Sequence, residues 1–435
     1  MKKITTRLLS LVLLGAFIPS FVLAAEWDLK DGSITVNAAP DTAQTVTQGS
    51  GAPTVDDNPV ITSSGTTSNT VTITAAENAT ANVTLENVNI NVSSTYEAAI
   101  TTKGEGNVTL NLSGDNSVQS GTYHAGVHKE NTGNLTVTAP EGGTGSLKAT
   151  GGDGGAGIGG GAIDSNGNNI TISGGTVDAK GGEHSAGIGG GGNISDNNAS
   201  KITISGGDVT ATGAGSAAGI GGGNGGSGTD IEITGGIVAA NGGEQGAGIG
   251  GGKNGDGSGI TVSGGTVNAT GKDNCYGGGA GIGGGSGGNG SDITISGGEV
   301  TANGGEVTAN GGIGGAGIGG GNGGSGNGIT VSGGKVTTNG GIGGAGIGGG
   351  NGGSGNGITV SGGEVTAKGG TFGAGIGGGG SVSGQGNGSN IKIDGGQVTA
   401  QGGLSGAGIG GGQSSNGSGI KISGDAQVKA QGGAE

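Results

Sequence analysis

The side chains of this chain that could do chemistry are few: three histidines, one cysteine, 31 carboxylates and several rows of evenly spaced threonines. His124 and His128 flank an Ala-Gly-Val segment, and His184 precedes an Ala-Gly-Ile segment. Four residues apart on a helix such a pair could share a metal, but on strands and corners the two need not converge, so surface histidines are expected. Cys275 has no second cysteine to pair with. It sits beside Tyr276 in an insertion at 272–278 that reads as an exposed loop, the kind of place where contacts are made. Glycoside hydrolysis needs two carboxylates at a set separation. The candidates Asp178 and Asp208 fall on outward strand positions, where charge ordinarily serves solvation. Cleavage of acidic polysaccharides would call for a basic residue beside a carboxylate or Ca²⁺ cluster, yet the single arginine is Arg7 and the lysines are scattered. An enzyme is therefore not expected.

The threonines are more regular. Thr171/Ser173, Thr203/Ser205, Thr261/Ser263, Thr294/Ser296, Thr330/Ser332 and Thr359/Ser361 repeat a Thr-x-Ser pattern, and Thr301, Thr337, Thr366 and Thr399 form a second row. Strand propensity alone accounts for threonine at such positions. The functional alternatives are hydroxyl ladders facing a polysaccharide, or an ordered-water surface for ice. The corner segments 254–259 and 287–292 combine Asp, Asn and Gly and are the weak Ca²⁺ candidates, although neither writes the Ca²⁺-binding nonapeptide of β-solenoids.

What must position these rows is a repeat. The hexapeptide AGIGGG occurs nine times, its isoleucines at 158, 188, 220, 249, 282, 318, 347, 376 and 409, with a base step of 29 residues. Periods of about 20 to 50 residues mark solenoids, propellers or arrays. Each unit adds an Ile-x-Ile/Val pair, such as Ile170/Ile172 or Ile358/Val360, and, seven residues after its start in eight of nine units, a valine usually followed by alanine, such as Val177/Ala179. Two-residue alternation is a strand period. Three short strands per coil, joined by Gly-rich corners, make a parallel β-solenoid with the Ala and Ile of AGI inward and its glycines outward. Worn copies reach upstream through Ile100 and Val127, so the coils are expected to start near Val71. A duplication of seven residues, EVTANGG at 299–305 and 306–312, predicts a bulged corner.

Glycine totals 125 of 435 residues without a G-X-Y triplet, and proline only 5, which excludes collagen and proline-rich coil. Disorder is the competing reading of a chain so poor in aromatics, but a linker has no reason to keep Ile and Val at fixed intervals. Lys2, Lys3 and Arg7, the apolar run from Leu8 to Val22 and the small-residue site ending at Ala24 have the form of a secretory signal peptide. Its removal deepens the net charge from −15 to −18. Such a surface repels nucleic acid and anionic lipid, and no later apolar run is long enough to span a bilayer.

The order of an opening Trp27-Asp28 segment, a β-rich N-terminus and tandem AGIGGG and ITISGG units resembles glycine-rich exported proteins of bacteria, the carbohydrate-binding-domain or cell-surface β-helix repeat proteins, over about residues 26–435. The resemblance implies a right-handed parallel β-helix that binds polysaccharide, with Ca²⁺ as the ion that could assist. Its motifs define coils rather than sites, so no functional residue carries over.

The expectation is thus an all-β, three-strand-per-coil parallel β-helix: signal peptide 1–24, N-terminal cap 25–70, divergent coils 71–154 and regular repeats 155–435. It is secreted or held at the cell surface, non-enzymatic and without a cofactor other than the Ca²⁺ candidate. It binds a polysaccharide or cell-surface glycan through Thr171, Thr203, Thr261, Thr294, Thr330, Thr359 and Tyr276, with the C-terminal coil a surface for self-association. A structural spacer, a polysaccharide lyase or hydrolase, and an ice-binding protein are the alternatives.

Overall fold

The short apolar marks of the repeat stack into three parallel sheets. The computed structural model describes residues 25–140, 143–163, 167–192, 197–274, 277–304, 314–381 and 386–433. The first face runs from Ile34–Ala38 through Val71–Ala75, Ile100–Gly104 and Val127–Lys129 into nine Ile–Gly pairs, Ile158–Gly159 to Ile409–Gly410. The second runs from Glu26–Asp28 through Thr80–Glu86, Leu135–Thr138 and Ile170–Ile172 to Lys421–Ile422, and the third from Asn89–Asn91 through Thr176–Lys180 to Gln427–Gln431. The repeat period is the register itself: Ile158 pairs with Ile188, Ile170 with Ile202, and Val177 with Val209. The chain is a parallel β-solenoid of about 13 turns. At about 4.8 Å per rung the rod is roughly 60 Å long.

Side-chain alternation sorts the core. In one coil Ile158, Ile170, Ile172, Val177 and Ala179 are each at most 1% exposed, and their counterparts in every neighbouring coil continue the same core. Burying each Ile or Val contributes about 1.5–3 kcal/mol, which offsets the entropy lost in ordering so many glycines. No coil could do this alone, because each needs a neighbour above and below to cover its apolar layer.

The AGIGGG segments depart from expectation. In eight of the nine copies they are buried, glycines included, Ala407 and Ile409 of the last being partly exposed, and the AGI alanines lie outside the main core. The chain before and after each Ile–Gly strand folds back over its outer side. Nine backbone hydrogen bonds lace this roof, each from the N–H four residues after an AGI isoleucine to the C=O four residues before its counterpart in the preceding coil. Lys253 to Ser216, Ser286 to Gln245 and Gln413 to Phe372 are examples, all at 2.8 Å. Backbone lies directly on backbone, which only glycine allows. A Cβ on Gly319, whose φ is +133°, would run into the carbonyl oxygen of Gly348 in the next coil. The face whose glycines were expected to point outward is covered by the protein's own chain.

Two further rows stabilise the corner before the second face. The residue preceding each Ile-x-Ile/Val pair adopts a left-handed conformation, φ +51° to +67°, in all nine regular coils, at Asn169, Lys201, Asp230, Gly259, Asp292, Gly328, Gly357, Asn390 and Gly419. Three residues earlier, a short polar side chain accepts the backbone N–H of its counterpart in the next coil, continuously along Asn198, Ser227, Asp256, Asn289, Ser325, Ser354, Asn387 and Asn416 at 2.7–3.3 Å. The Asp256 carboxylate, in one of the two candidate Ca²⁺ corners, accepts from both the backbone and the side-chain amide of Asn289.

At the N-terminal end, parallel pairing begins before Val71: Ile34–Ala38 pairs with Val71–Ala75, and Glu26–Asp28 with Val60–Thr62. The same region closes the edge with antiparallel strands Thr45–Gln48 and Thr54–Val55, pinned where the Trp27 indole donates to Asp56 at 2.9 Å. In the last coil Ile420 and Ile422 are 40% and 52% exposed. The signal-peptide segment 1–24 and the expected bulged corner at 305–313 lie outside the described residues.

Candidate glycan-binding surfaces

The second face carries the hydroxyl rows. Strand register places Thr136, Thr171, Thr203, Glu232, Thr261, Thr294, Thr330, Thr359 and Lys392 in one line down the rod. The threonines are half-buried, and Ser173, Ser205, Ser263, Ser296, Ser332 and Ser361 form an exposed line two residues on. With about 4.8 Å between rungs and about 6.7 Å along two residues of strand, this is a flat grid of hydroxyls. Its uncharged block spans four coils, Thr261/Ser263 to Thr359/Ser361, bounded by Glu232 and by Lys392, which pairs with Asp394. Thr171 is tied to Asn134, whereas the hydroxyls of Thr203, Thr261, Thr294, Thr330 and Thr359 have no hydrogen-bond partner among the described residues. On the third face Thr301, Thr337, Thr366 and Thr399 also align on consecutive rungs.

Asp178 and Asp208 are exposed and fall in different rows of that third face, opposite Thr210 and Thr176. The insertion at 272–278 is a hairpin, Asp273 and Asn274 pairing antiparallel with Gly278 and Gly277. Cys275 and Tyr276 lie outside the described residues, so the structure does not place Tyr276 against the rows.

The histidines correct the sequence reading. His124 and His128 converge, their ring centroids 4.8 Å apart and edge to face, and His128 is only 4% exposed. Register explains why: His128 pairs with Gly159, a position that is glycine in every later coil, so its ring fills space that the roof occupies elsewhere. His128 Nδ1 accepts the Ala125 N–H at 3.3 Å and Nε2 lies 3.3 Å from Glu130, a pattern that assigns the neutral Nε2–H tautomer. This hydrogen bond holds the Glu130 carboxyl below its usual range against the opposing effect of burial, with Lys103 at 3.5 Å assisting. Burial first, then the nearby His128, pushes the His124 imidazole down. Lys129 is 4% exposed, its Nζ donates to the Asn131 carbonyl at 2.6 Å, and burial lowers its pKa to about 8. Asn131 in turn accepts from Thr102 at 2.8 Å and donates to the carbonyls of Gly106 and Gly133. The divergent coils thus hold a buried polar network where the regular coils hold glycine.

Sequence reasoning missed a second feature beside it. Tyr96 and Tyr123 stand four residues before Ile100 and Val127, the roof position, and their rings stack at 6.0 Å and 28° while remaining 73% and 39% exposed. The Tyr123 carbonyl accepts from Ala162, whose neighbour Ile163 is 63% exposed. The signal was the 27-residue step that the tyrosines share with Ile100 and Val127. Among the described residues no three His, Cys, Asp or Glu side chains form a metal-ligand group, and no helix is long and apolar enough to cross a membrane.

Seven segments, 170–192, 202–224, 231–253, 260–286, 329–351, 358–380 and 391–413, match a family model described as a beta helix repeat. All seven begin at the Ile-x-Ile/Val strand and end at the roof residue after AGIGGG, so each matched unit spans the strands of all three faces within one coil. No curated protein and no solved structure matches the chain. Three stacked parallel faces and a matched unit that recurs with their register show that this chain folds as a parallel β-helix built from repeats.

Proposed function

We propose that this β-helix is a secreted or cell-surface, non-enzymatic protein that binds carbohydrate. The observation that carries the reading is the uncharged hydroxyl grid from Thr261 to Ser361, four coils in register with threonine hydroxyls that no group among the described residues claims. A polysaccharide repeats its hydroxyls along one axis, and a rigid row of donors and acceptors on the same kind of repeat meets it without an ordering cost. Export rests on the signal-peptide form of residues 1–24, and the acidic surface favours neutral over acidic glycans. A glycan array probed with the purified protein, with and without Ca²⁺, tests the function. Binding in either state is expected, and no binding in both rejects it.

A further inference from the structure

We infer that the stacked pair Tyr96 and Tyr123 is a binding platform for the apolar C–H face of a neutral saccharide, a site separate from the hydroxyl grid; it deepens the carbohydrate reading and rests on it. Aromatic rings this exposed are otherwise absent from the described coils, and the two stand on adjacent rungs of one row. Tyr123 is held at φ +74°, in the left-handed region that disfavours a side chain. The equivalent roof residues adopt the same backbone as glycine at Gly154 and Gly343, φ +77° and +87°, and with polar side chains at His184 and Gln245, φ +64° and +69°. The roof therefore does not call for an aromatic ring, and it is the exposed, stacked pair that points to a role outside the fold. Beyond Tyr123 the row opens, because its next member, Gly154, has no side chain, and exposed Ile163 follows Ala162 in the turn whose N–H the Tyr123 carbonyl accepts.

The polar rim defines the ligand. His124, edge to face with His128, lies beside this row and feels the carboxylates of Glu130 and Glu97. Asp153 follows in the next coil, its carbonyl accepting the Tyr123 N–H at 2.7 Å. Tyrosine faces take the C–H surface of a pyranose, and tyrosine hydroxyls, imidazole and carboxylate take its hydroxyls. The same carboxylates repel a uronate. The ligand class is therefore an uncharged glycan.

The test is affinity electrophoresis of the full chain in gels containing xylan, mannan, a mixed-linkage β-glucan or polygalacturonate, comparing Tyr96→Ala, Tyr123→Gly and the double variant Thr294→Val/Thr330→Val. Tyr123→Gly relieves the left-handed strain, so its melting temperature should equal or exceed the parent's, which separates lost binding from lost folding. The expected result is retardation by at least one neutral polymer, weakened tenfold or more in each tyrosine variant. Retardation that survives both tyrosine variants but fails in the threonine variant overturns this site and leaves the hydroxyl grid standing. Retardation by polygalacturonate alone overturns it as well, and the absence of retardation by every polymer overturns both.

Discussion

Gly319 and Gly323 lie four residues apart in the same coil and should respond to alanine in different ways. Both have positive φ, +133° and +79°. At Gly323 an added Cβ meets nothing within 4 Å, so the cost is the left-handed backbone alone. That is about 1 kcal/mol, partly offset by a stiffer unfolded chain at about 0.4–1 kcal/mol. At Gly319 the backbone lies in a region essentially reserved for glycine, at about 1–3 kcal/mol, and the Cβ collides with the Gly348 carbonyl. That oxygen also accepts the Gly320 N–H at 3.0 Å. Relieving the collision moves the carbonyl and weakens a bond with a net value of about 0.5–1.5 kcal/mol. Gly319→Ala should therefore destabilise by about 3 kcal/mol or more, and Gly323→Ala by less than about 1 kcal/mol. Urea denaturation followed by far-ultraviolet circular dichroism measures both. Equal midpoint shifts, or a larger one for Gly323→Ala, would refute the close backbone packing beneath the roof.

Further predictions concern the polar rows. Lys129 ordinarily titrates near 10.5 and is held to about 8 in the fold. Between those values the unfolded chain binds more protons than the folded one, so stability rises from pH 8 to 10.5, by at most about 3 kcal/mol. Lys129→Met should remove that rise in a pH series of melting temperatures, and an unchanged slope would count against a buried amine. Asn289→Ala removes the acceptor for the Ser325 N–H and the side-chain donor to Asp256, leaving the backbone donor in place. It should cost about 1–2 kcal/mol and speed amide exchange at Ser325, while exchange confined to other coils would contradict the ladder. His124 is held below 6.5, so the fold should lose stability as pH falls below 6.5, and His124→Gln should flatten that decline.

The solenoid was legible because Ile and Val carry a signal that their neighbours lack. Ile158, Ile170, Ile172 and Val177 recur at intervals that only stacking explains, and they form the core as read. The threonine rows were legible for the same reason, since strand register carries any regular spacing into a line. The roof was not, because glycine has no side chain whose polarity distinguishes inside from outside. Gly319 looks the same in sequence whether it faces water or the carbonyl of Gly348. The corner rows were hidden by mixed chemistry: Asn169, Lys201, Asp230 and Gly259 share a backbone conformation rather than a residue type, and Ser227, Asp256 and Asn289 share only a short acceptor. His124 and His128 were misread because their distance depends on which residues replace glycine in the coil beside them, and that comparison needs the register in hand.

The claim that recognition lies on displayed rows and that AGIGGG supplies the covered rod is most directly tested by chemical-shift mapping. Methyl and aromatic spectra of the full chain would be recorded with and without a glycan retained on the array. The account predicts shifts at the methyls of Thr261, Thr294, Thr330 and Thr359 or at the rings of Tyr96 and Tyr123, with Ile318 and Ile347 unmoved beneath the roof. Shifts centred on those isoleucines, with the threonines and tyrosines silent, would contradict it.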